Sequence, residues 1–310
     1  MTEPVDVIHE HRTGRIDVHQ HMVPEPYARW LRAHGVDAPG GRPLPAWSPA
    51  EALELMDRQG IAAAILSLTT PGAYLGDGSD AARVARQSNE YAAQLVTDHP
   101  GRFGFFATLT LPDVKAAVTE ASYALGELAA DGVMLLANSD GRYLGDPAFD
   151  PLKALLDELS AVVFVHPAQL PGPGAEGIPP FAADFLLDTT RAAFTLVKHD
   201  VPRRLPNIRF ILAHAGGFVP YAAHRLALTV FGETGRDLNQ VLGDLRGFYF
   251  DTALSASPVL QGFARPGHIL YGSDWPFAPE PAVAYFTTWA DDAAINHRNA
   301  RELFKERFDA

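Results

Sequence analysis

Short runs of apolar residues alternate with longer amphipathic stretches along most of the chain. The first run contains Ile16 and Val18 and is bounded by Gly14 and Pro24, a pattern typical of one buried strand. Seven further runs, each four to eight residues long, lie at 62–68, 103–110, 133–136, 162–165, 208–213, 248–252 and 268–271. Runs of this length, bounded by turn residues, predict strands that are buried on both faces.

Amphipathic segments separate these runs and predict helices at 25–35, 81–98, 113–130, 149–160, 183–199, after Val219 and at 282–308. A loop rich in Gly and Pro occupies 35–49, and Ser48, Pro49 and Glu51 then resemble a capping box that opens a helix through about Gln59. Eight strands alternating with helices imply an α/β fold with a parallel sheet, and eight is the number that closes into a (β/α)8 TIM barrel. An open doubly wound sheet is the alternative, but no Gly-x-Gly-x-x-Gly motif follows a strand to support it.

The length and composition suit one large domain. The chain has 310 residues, of which 47% are hydrophobic, enough to fill a sizeable core. No polar linker marks a second domain, so a single domain over 1–310 is expected, with 1–13 as a loose lead-in. His9 and His11 form an HxH pair in that lead-in, and their polar surroundings predict that they are solvated.

Charge and cysteine content narrow the function. With 25 basic and 37 acidic residues the net charge is -12, which disfavours nucleic acid and favours a small-molecule partner. The sequence has no 18-residue apolar run and no apolar segment near its acidic beginning, so we expect neither a membrane span nor a secretory signal, and a cytoplasmic location is the default. Because cysteine is absent, thiolate nucleophiles and Cys-based zinc sites are excluded.

Residues that can bind a metal follow several predicted strands. His19 and His21 end the first strand, and their i, i+2 spacing points both imidazoles to one face. His166, His214 and Asp274 end the fifth, sixth and eighth strands. The carboxyl ends of barrel strands meet at one mouth, where such enzymes place their chemistry. Each residue alone has a structural interpretation, but together they predict a site for one divalent metal, with Zn²⁺ or Mn²⁺ suited to imidazole and carboxylate ligands.

Four segments resemble a known family. DVHQHMVP, VFVHP, RFILAHAGG and YGSDWPF are similar to the signature segments of the amidohydrolase superfamily branch that contains aminocarboxymuconate semialdehyde decarboxylase and metal-dependent hydroxybenzoate decarboxylases. The resemblance spans nearly the whole chain. The segments ANSDGRYLGDP and DTALSASP resemble a subgroup of salicylate-type decarboxylases that includes the enzyme acting on 6-methylsalicylate.

The resemblance implies roles for individual residues. One divalent ion, Zn²⁺ or alternatively Mn²⁺, would be held by four residues, namely His19, His21, His166 and Asp274. His214 matches the histidine that serves in proton transfer. Arg225 matches an arginine that reaches a neighbouring subunit's site, which implies a homodimer, although a surface arginine on a helix is an equal interpretation. Arg42 lies near the place of a further substrate-carboxylate arginine without matching its register, which argues against a dicarboxylate substrate.

The first hypothesis for function is non-oxidative decarboxylation of a small aromatic acid such as a hydroxybenzoate, which makes the protein a carboxy-lyase. Either His214 or Asp274 would supply the proton that the ring carbon requires. Aromatic residues near the mouth would flank the substrate ring: Trp47, Phe218, Trp275 and Phe277. The alternatives are a metal-dependent hydrolase of a lactone, ester or amide that uses bound water, and a binding protein without catalysis.

Overall fold

Eight parallel strands lie side by side in the order in which they occur along the chain. A computed structural model describes residues 14–308. The strands are β1 Arg15–His21, β2 Ile61–Ser67, β3 Phe103–Thr108, β4 Gly132–Leu136, β5 Val162–His166, β6 Arg209–Leu212, β7 Tyr249–Asp251 and β8 Ile269–Leu270. Each lies within two residues of its predicted position, and the predicted (β/α)8 barrel is confirmed.

The barrel closes between β1 and the segment that follows β8. Three backbone hydrogen bonds make this closure. The N–H of Val18 donates to the carbonyl of Tyr271 at 2.9 Å, and the N–H of His21 donates to that of Trp275 at 2.7 Å. In the other direction, the N–H of Asp274 donates to the carbonyl of His19 at 2.7 Å. Two of the three involve residues on either side of Gln20, which forms an isolated parallel bridge with Trp275. Three of the four predicted metal ligands, His19, His21 and Asp274, therefore lie at this closure.

Helices pack around the outside and connect the strands. They are α1 Glu25–Ala33, α2 Pro49–Arg58, α3 Gly78–Asp98, α4 Val114–Gly126, α5 Asp150–Glu158, α6 Asp184–Lys198, α7 Val219–Thr234, α8 Leu238–Arg246, α9 Pro258–Phe263, α10 Glu280–Trp289 and α11 Asn299–Leu303, with a π-helical turn at Ala294–Arg298. Shorter turns lie at Pro39–Gly41, Pro147–Phe149, Pro180–Ala182, Val201–Arg204, Ala213–Gly216 and Lys305–Phe308. Among the described residues, no helix is both long and apolar enough to cross a bilayer.

Aromatic side chains fill the barrel beneath its carboxyl end. Phe106 and Phe164 stack with ring centroids 5.3 Å apart, and the ring of Phe164 meets the imidazole of His19 edge-on at 4.8 Å. Both phenylalanines are fully buried. This apolar layer shields the histidines from water on the side toward the amino end of the barrel. Their polar atoms must therefore find partners within the protein or in a ligand.

Local predictions and structure agree where a side chain caps a helix. Ser48 accepts a hydrogen bond from the N–H of Glu51 at 3.2 Å and donates its hydroxyl to the Glu51 carboxylate at 2.9 Å, so the helix predicted to open here does begin with Ser48 as its N-cap. Helices α8 and α9, and a small hairpin of Asn138–Ser139 with Arg142–Tyr143, were not predicted. His9 and His11 lie outside the described residues.

Candidate active site

The predicted metal-binding residues converge at the carboxyl end of the barrel. His19, His166, His214 and Asp274 are buried, and one nitrogen or oxygen atom of each lies within 4.8 Å of the corresponding atoms of the others. Parallel strands bring them together because all their carboxyl ends face the same mouth. Residues more than 250 positions apart in sequence thus form one cluster.

His21 belongs to the same cluster. Its Nε2 lies 3.1 Å from Nε2 of His19 and 3.1 Å from Oδ1 of Asp274, and the same carboxylate oxygen is 3.3 Å from Nε2 of His19. The alternation of side chains along β1 places both imidazoles inside the barrel, as the HxH spacing predicts.

Three of the histidines have their other ring nitrogen engaged. Nδ1 of His19 lies 2.7 Å from a carboxylate oxygen of Asp251, Nδ1 of His166 donates to the carbonyl of Pro167 at 2.9 Å, and Nδ1 of His21 lies 3.1 Å from the hydroxyl of Ser67. With Nδ1 protonated, each Nε2 directs a lone pair into the cluster.

The cluster is therefore rich in acceptors and poor in donors. Two Nε2 lone pairs and a carboxylate oxygen approach one another within 3.3 Å, an arrangement that a cation between them satisfies. Imidazole and carboxylate donors without sulfur suit a borderline or hard divalent ion. The residues present thus fit a divalent metal.

The electrostatics favour positive charge at His19 but not at His21 or His166. Burial lowers the pKa of His19, but the negative charges of Asp251 and Asp274 outweigh burial and raise this pKa to about 10. Burial lowers the pKa of His21, and burial together with the neighbouring histidines holds the pKa of His166 well below its usual value. Burial raises the pKa of Asp274, yet hydrogen bonds from the histidines outweigh it and hold this pKa well below the ordinary range.

Asp251 connects two members of the cluster and was not predicted as a site residue. One carboxylate oxygen lies 2.7 Å from Nδ1 of His19, and the other accepts the backbone N–H groups of His214 and Ala253 at 2.9 and 3.0 Å. Its side chain is fully buried at the end of β7. An acidic residue at the end of the apolar run 248–252 was the available signal.

The backbone around His214 is unusual. His214, Ala215, Gly216 and Gly217 all have positive φ, at 54, 57, 73 and 62°. A Cβ on Gly217 would lie 2.1 Å from the carbonyl oxygen of Leu186, so only glycine fits there. Strained backbone of this kind collects at functional sites and persists because surrounding contacts hold it, here the bond from the N–H of His214 to Asp251.

His214 differs from the other histidines in its hydrogen bonding. Its Nε2 lies 3.5 Å from Oδ2 of Asp274, while its Nδ1 is buried without a partner among the described residues. Its protein partner thus lies at Nε2 and not at Nδ1, which distinguishes it from the three histidines whose Nδ1 is engaged.

A cleft of about 130 Å³ opens onto the cluster. His166, His214 and Asp274 form its floor. Its walls are mostly apolar or aromatic, with Arg42 as the charged exception, and are lined by Pro39, Gly40, Arg42, Thr69, Thr70, Phe181, Ala182, Phe185, Leu186, Leu254, Ser255 and Phe277. The guanidinium of Arg42 lies 4.1 Å above the ring of Phe181 and donates to the carbonyl of Phe277 at 3.2 Å.

The structure brings one of the five predicted substrate-binding residues to this cleft. Phe277 lines it, with its ring 5.5 Å from that of His21. Four others do not line it. Trp47 packs against Tyr91 on the outside of the barrel, and Trp275 forms a bridge to β1. Phe218 and Arg225 are exposed, at the start of α7 and within it. The structure therefore does not place these four residues at the cleft.

Comparison with known proteins identifies the family of this chain. The family model described as amidohydrolase matches residues 16–305. This chain belongs to the amidohydrolase family. Within the family, decarboxylase yanB of Aspergillus niger is 39% identical over 291 residues, which cover 87% of this chain and 79% of that protein. The 6-methylsalicylic acid decarboxylase acuB of Aspergillus aculeatus is 38% identical, with 90% of this chain and 89% of that protein covered.

A solved amidohydrolase shares the fold. The crystal structure of an amidohydrolase II superposes with a TM-score of 0.87 at 30% sequence identity, over 94% of this chain and 99% of that chain. The predicted resemblance to the amidohydrolase superfamily is confirmed.

Proposed function

We propose that this amidohydrolase is a metal-dependent carboxy-lyase that removes carbon dioxide, without oxidation, from a small hydroxybenzoate. The observation that carries the proposal is a cleft whose floor is the histidine and aspartate cluster and whose walls are aromatic. A planar acid fits such a cleft with its carboxylate toward the cluster and its ring between Phe185 and Phe277. Two relatives at 39% and 38% identity bear the name decarboxylase, one of them for 6-methylsalicylic acid, which supports this class of substrate.

The metal would be held by His19, His21, His166 and Asp274. The Nδ1 atoms of the three histidines are already engaged, so their Nε2 atoms remain free to bind a metal beside the carboxylate of Asp274. A bound divalent ion would hold the carboxylate and ortho-hydroxyl oxygens of the substrate and offset their negative charge. We propose Zn²⁺, with Mn²⁺ as the alternative that the same donors accept.

Loss of carbon dioxide from an aromatic ring requires a proton on the carbon that carries the carboxylate. We assign its delivery to Nε2 of His214. Asp274 is committed to the cluster, since its Oδ1 contacts both His19 and His21, whereas His214 lines the cleft with no partner at Nδ1. Asp251 holds the backbone of His214, and Phe185 lies beside its ring at 6.5 Å and excludes water from that side.

The reaction class is tested by product analysis. The metal-loaded protein is incubated with salicylate, 6-methylsalicylate and a lactone in H₂¹⁸O, and carbon dioxide and organic products are analysed by mass spectrometry. Carbon dioxide released from an aromatic acid without ¹⁸O in the organic product is the expected result. Incorporation of ¹⁸O into the product of the lactone, with no carbon dioxide from any acid, would establish the hydrolase instead.

We further propose that the chain forms one domain. We also propose that it works as a homodimer whose two copies contact each other at α7. Tyr221 and Leu228 on this helix are 85% and 56% exposed, unusual for large apolar side chains, and Arg225 lies between them. Light scattering should show Tyr221→Glu shifted from dimer to monomer. Leu159→Glu is the matched control, because Leu159 is also an exposed apolar residue but directly follows α5; this variant should remain dimeric. A monomeric wild-type protein would refute the proposal.

A further inference from the structure

Asp17 is a fully buried carboxylate on β1 that the proposed reaction does not use. Its Oδ1 accepts the backbone N–H groups of His19 and Ser273, both at 3.0 Å. Its Oδ2 accepts the Ser273 hydroxyl at 2.6 Å and the side-chain amide of Gln20 at 3.1 Å. Ser273 and Gln20 are buried as well. Four uncharged donors thus converge on one carboxylate, which pairs its buried oxygens within the protein.

These hydrogen bonds join the two segments that close the barrel. Asp17 and His19 lie on β1, whereas Ser273 and Asp274 follow β8, and 256 positions separate Asp17 from Ser273. Beside them, the N–H of Asp274 donates to the carbonyl of His19. Because Asp17 holds the backbone of His19 and the residue next to Asp274, it sets how far apart these two proposed metal ligands lie.

The backbone of Asp274 requires support from its neighbours. Its φ is 60°, in the left-handed region that side chains other than glycine rarely adopt. On one side, the N–H of Ser273 donates to Asp17. On the other side, the N–H of Trp275 donates at 3.1 Å to the Ser273 hydroxyl oxygen, whose proton is donated to Asp17. The hydrogen bonds on both sides of Asp274 therefore end at Asp17.

We infer that Asp17 is a positioning residue, which fixes His19 and Asp274 at the separation that one metal ion requires. The inference rests on the metal site of the proposed function. Asp17 does not line the cleft, so it acts through the two segments that it joins. Partners that orient metal ligands in this way contribute about 10- to 100-fold to metal affinity.

Zinc affinity, measured by competition with a chromophoric chelator, tests this role without turnover. Asp17→Ala should lower zinc affinity by about 10- to 100-fold, because all four hydrogen bonds are lost. Ser273→Ala removes only the hydroxyl and should lower it by about 3- to 10-fold. The double variant should bind zinc as weakly as Asp17→Ala alone, since the Ser273 hydroxyl supports Asp274 through Asp17.

Asp17→Asn separates hydrogen bonding from charge. The Asn oxygen still accepts two N–H groups, and its amide can donate to the Ser273 oxygen. It can also donate to Oε1 of Gln20 once that amide flips, an atom that is buried without a partner among residues 14–308. The Ser273 proton then turns to the carbonyl of His19, 3.5 Å away. Asp17→Asn should therefore retain zinc affinity within about threefold of wild type.

Glu120 offers a matched control for a general loss of stability. This buried carboxylate on α4 accepts hydrogen bonds from Asn89 at 2.8 Å and Arg86 at 3.0 Å and does not line the cleft. Glu120→Ala should lower the free energy of unfolding of the metal-free protein, measured by urea denaturation. Its zinc affinity should stay within about twofold of wild type.

Three outcomes would overturn the inference alone, in a wild-type protein that binds zinc. They are wild-type zinc affinity in Asp17→Ala, a loss in Asp17→Asn as large as that in Asp17→Ala, and a loss of the same size in Glu120→Ala. The second outcome would assign the effect to charge, and the third to general destabilisation. Wild-type protein that binds no zinc would overturn the metal-dependent function together with the inference.

Discussion

Two buried carboxylates at opposite ends of the barrel have contrasting partners. At the amino end, Asp131 pairs with Nε of Arg307 at 2.6 Å and accepts the N–H of Phe105 at 2.8 Å. At the carboxyl end, Asp251 pairs with His19. An arginine is permanently charged and neutralises the carboxylate, whereas a histidine that ligates a metal through Nε2 receives electron density from the carboxylate at Nδ1 and becomes a stronger ligand.

The contrast extends beyond these two residues. The amino end holds further Arg–Asp pairs, Arg15 with Asp291 at 3.3 Å and Arg102 with Asp57 at 2.7 Å. In the cleft at the carboxyl end, Arg42 is the cation among the described lining residues, and no ion pair joins it to Asp274. Negative charge is neutralised by the protein at one end and left for a ligand at the other. The same chemical group thus stabilises the fold in one place and prepares a site in the other.

The largest effect is expected for Asp274→Asn. Removing the carboxylate charge from the cluster should lower bound metal to less than about a tenth of the wild-type stoichiometry and decarboxylation by on the order of 10³-fold or more. Elemental analysis and carbon dioxide release measure the two quantities. Full metal content in Asp274→Asn would contradict the ligand assignment.

His214→Ala should separate proton transfer from metal binding. We expect decarboxylation to fall by about 10² to 10⁴-fold, the usual contribution of a positioned acid or base, while the metal content stays at the wild-type level. His21→Ala is the matched comparison and should lose metal. If the metal contents of these two variants were reversed, His214 would be the ligand and His21 would not.

Asp251→Asn should weaken the metal site without removing a ligand. An amide in place of the carboxylate still accepts a hydrogen bond but no longer polarises His19, so metal affinity should fall by about 10 to 100-fold. Competition with a chromophoric chelator measures the affinity. Affinity equal to that of the wild-type protein would mean that Asp251 supports only the backbone of His214.

The smallest effect on the site is expected for Asp131→Asn. Its loss of the Arg307 pair should lower the free energy of unfolding by about 1–3 kcal/mol, as for other part-buried polar groups that lose a partner. Metal affinity and decarboxylation should remain within about twofold of wild type. Urea denaturation measures the free energy of unfolding, chelator competition the metal affinity, and carbon dioxide release the activity. A loss of metal in this variant would remove the distinction between the two ends.

The apolar runs and their Gly and Pro boundaries were enough to predict the eight strands, because a strand buried on both faces needs a continuous apolar segment. The positions of His19, His166 and Asp274 at strand ends predicted the cluster, because parallel strands bring their carboxyl ends to one mouth. These features depend on local pattern and on one rule of topology, and both can be read without coordinates.

The partners of those residues required the folded chain. Asp251 reaches His19 across 232 positions, and Arg42, from the loop before α2, donates to the carbonyl of Phe277 at the cleft. The aromatic walls were the least predictable: Phe181 and Phe185 line the cleft while Trp47 and Trp275 do not. Strand direction follows from periodicity, but the path of a loop is set by the contacts it makes with other loops, and no local pattern encodes those contacts.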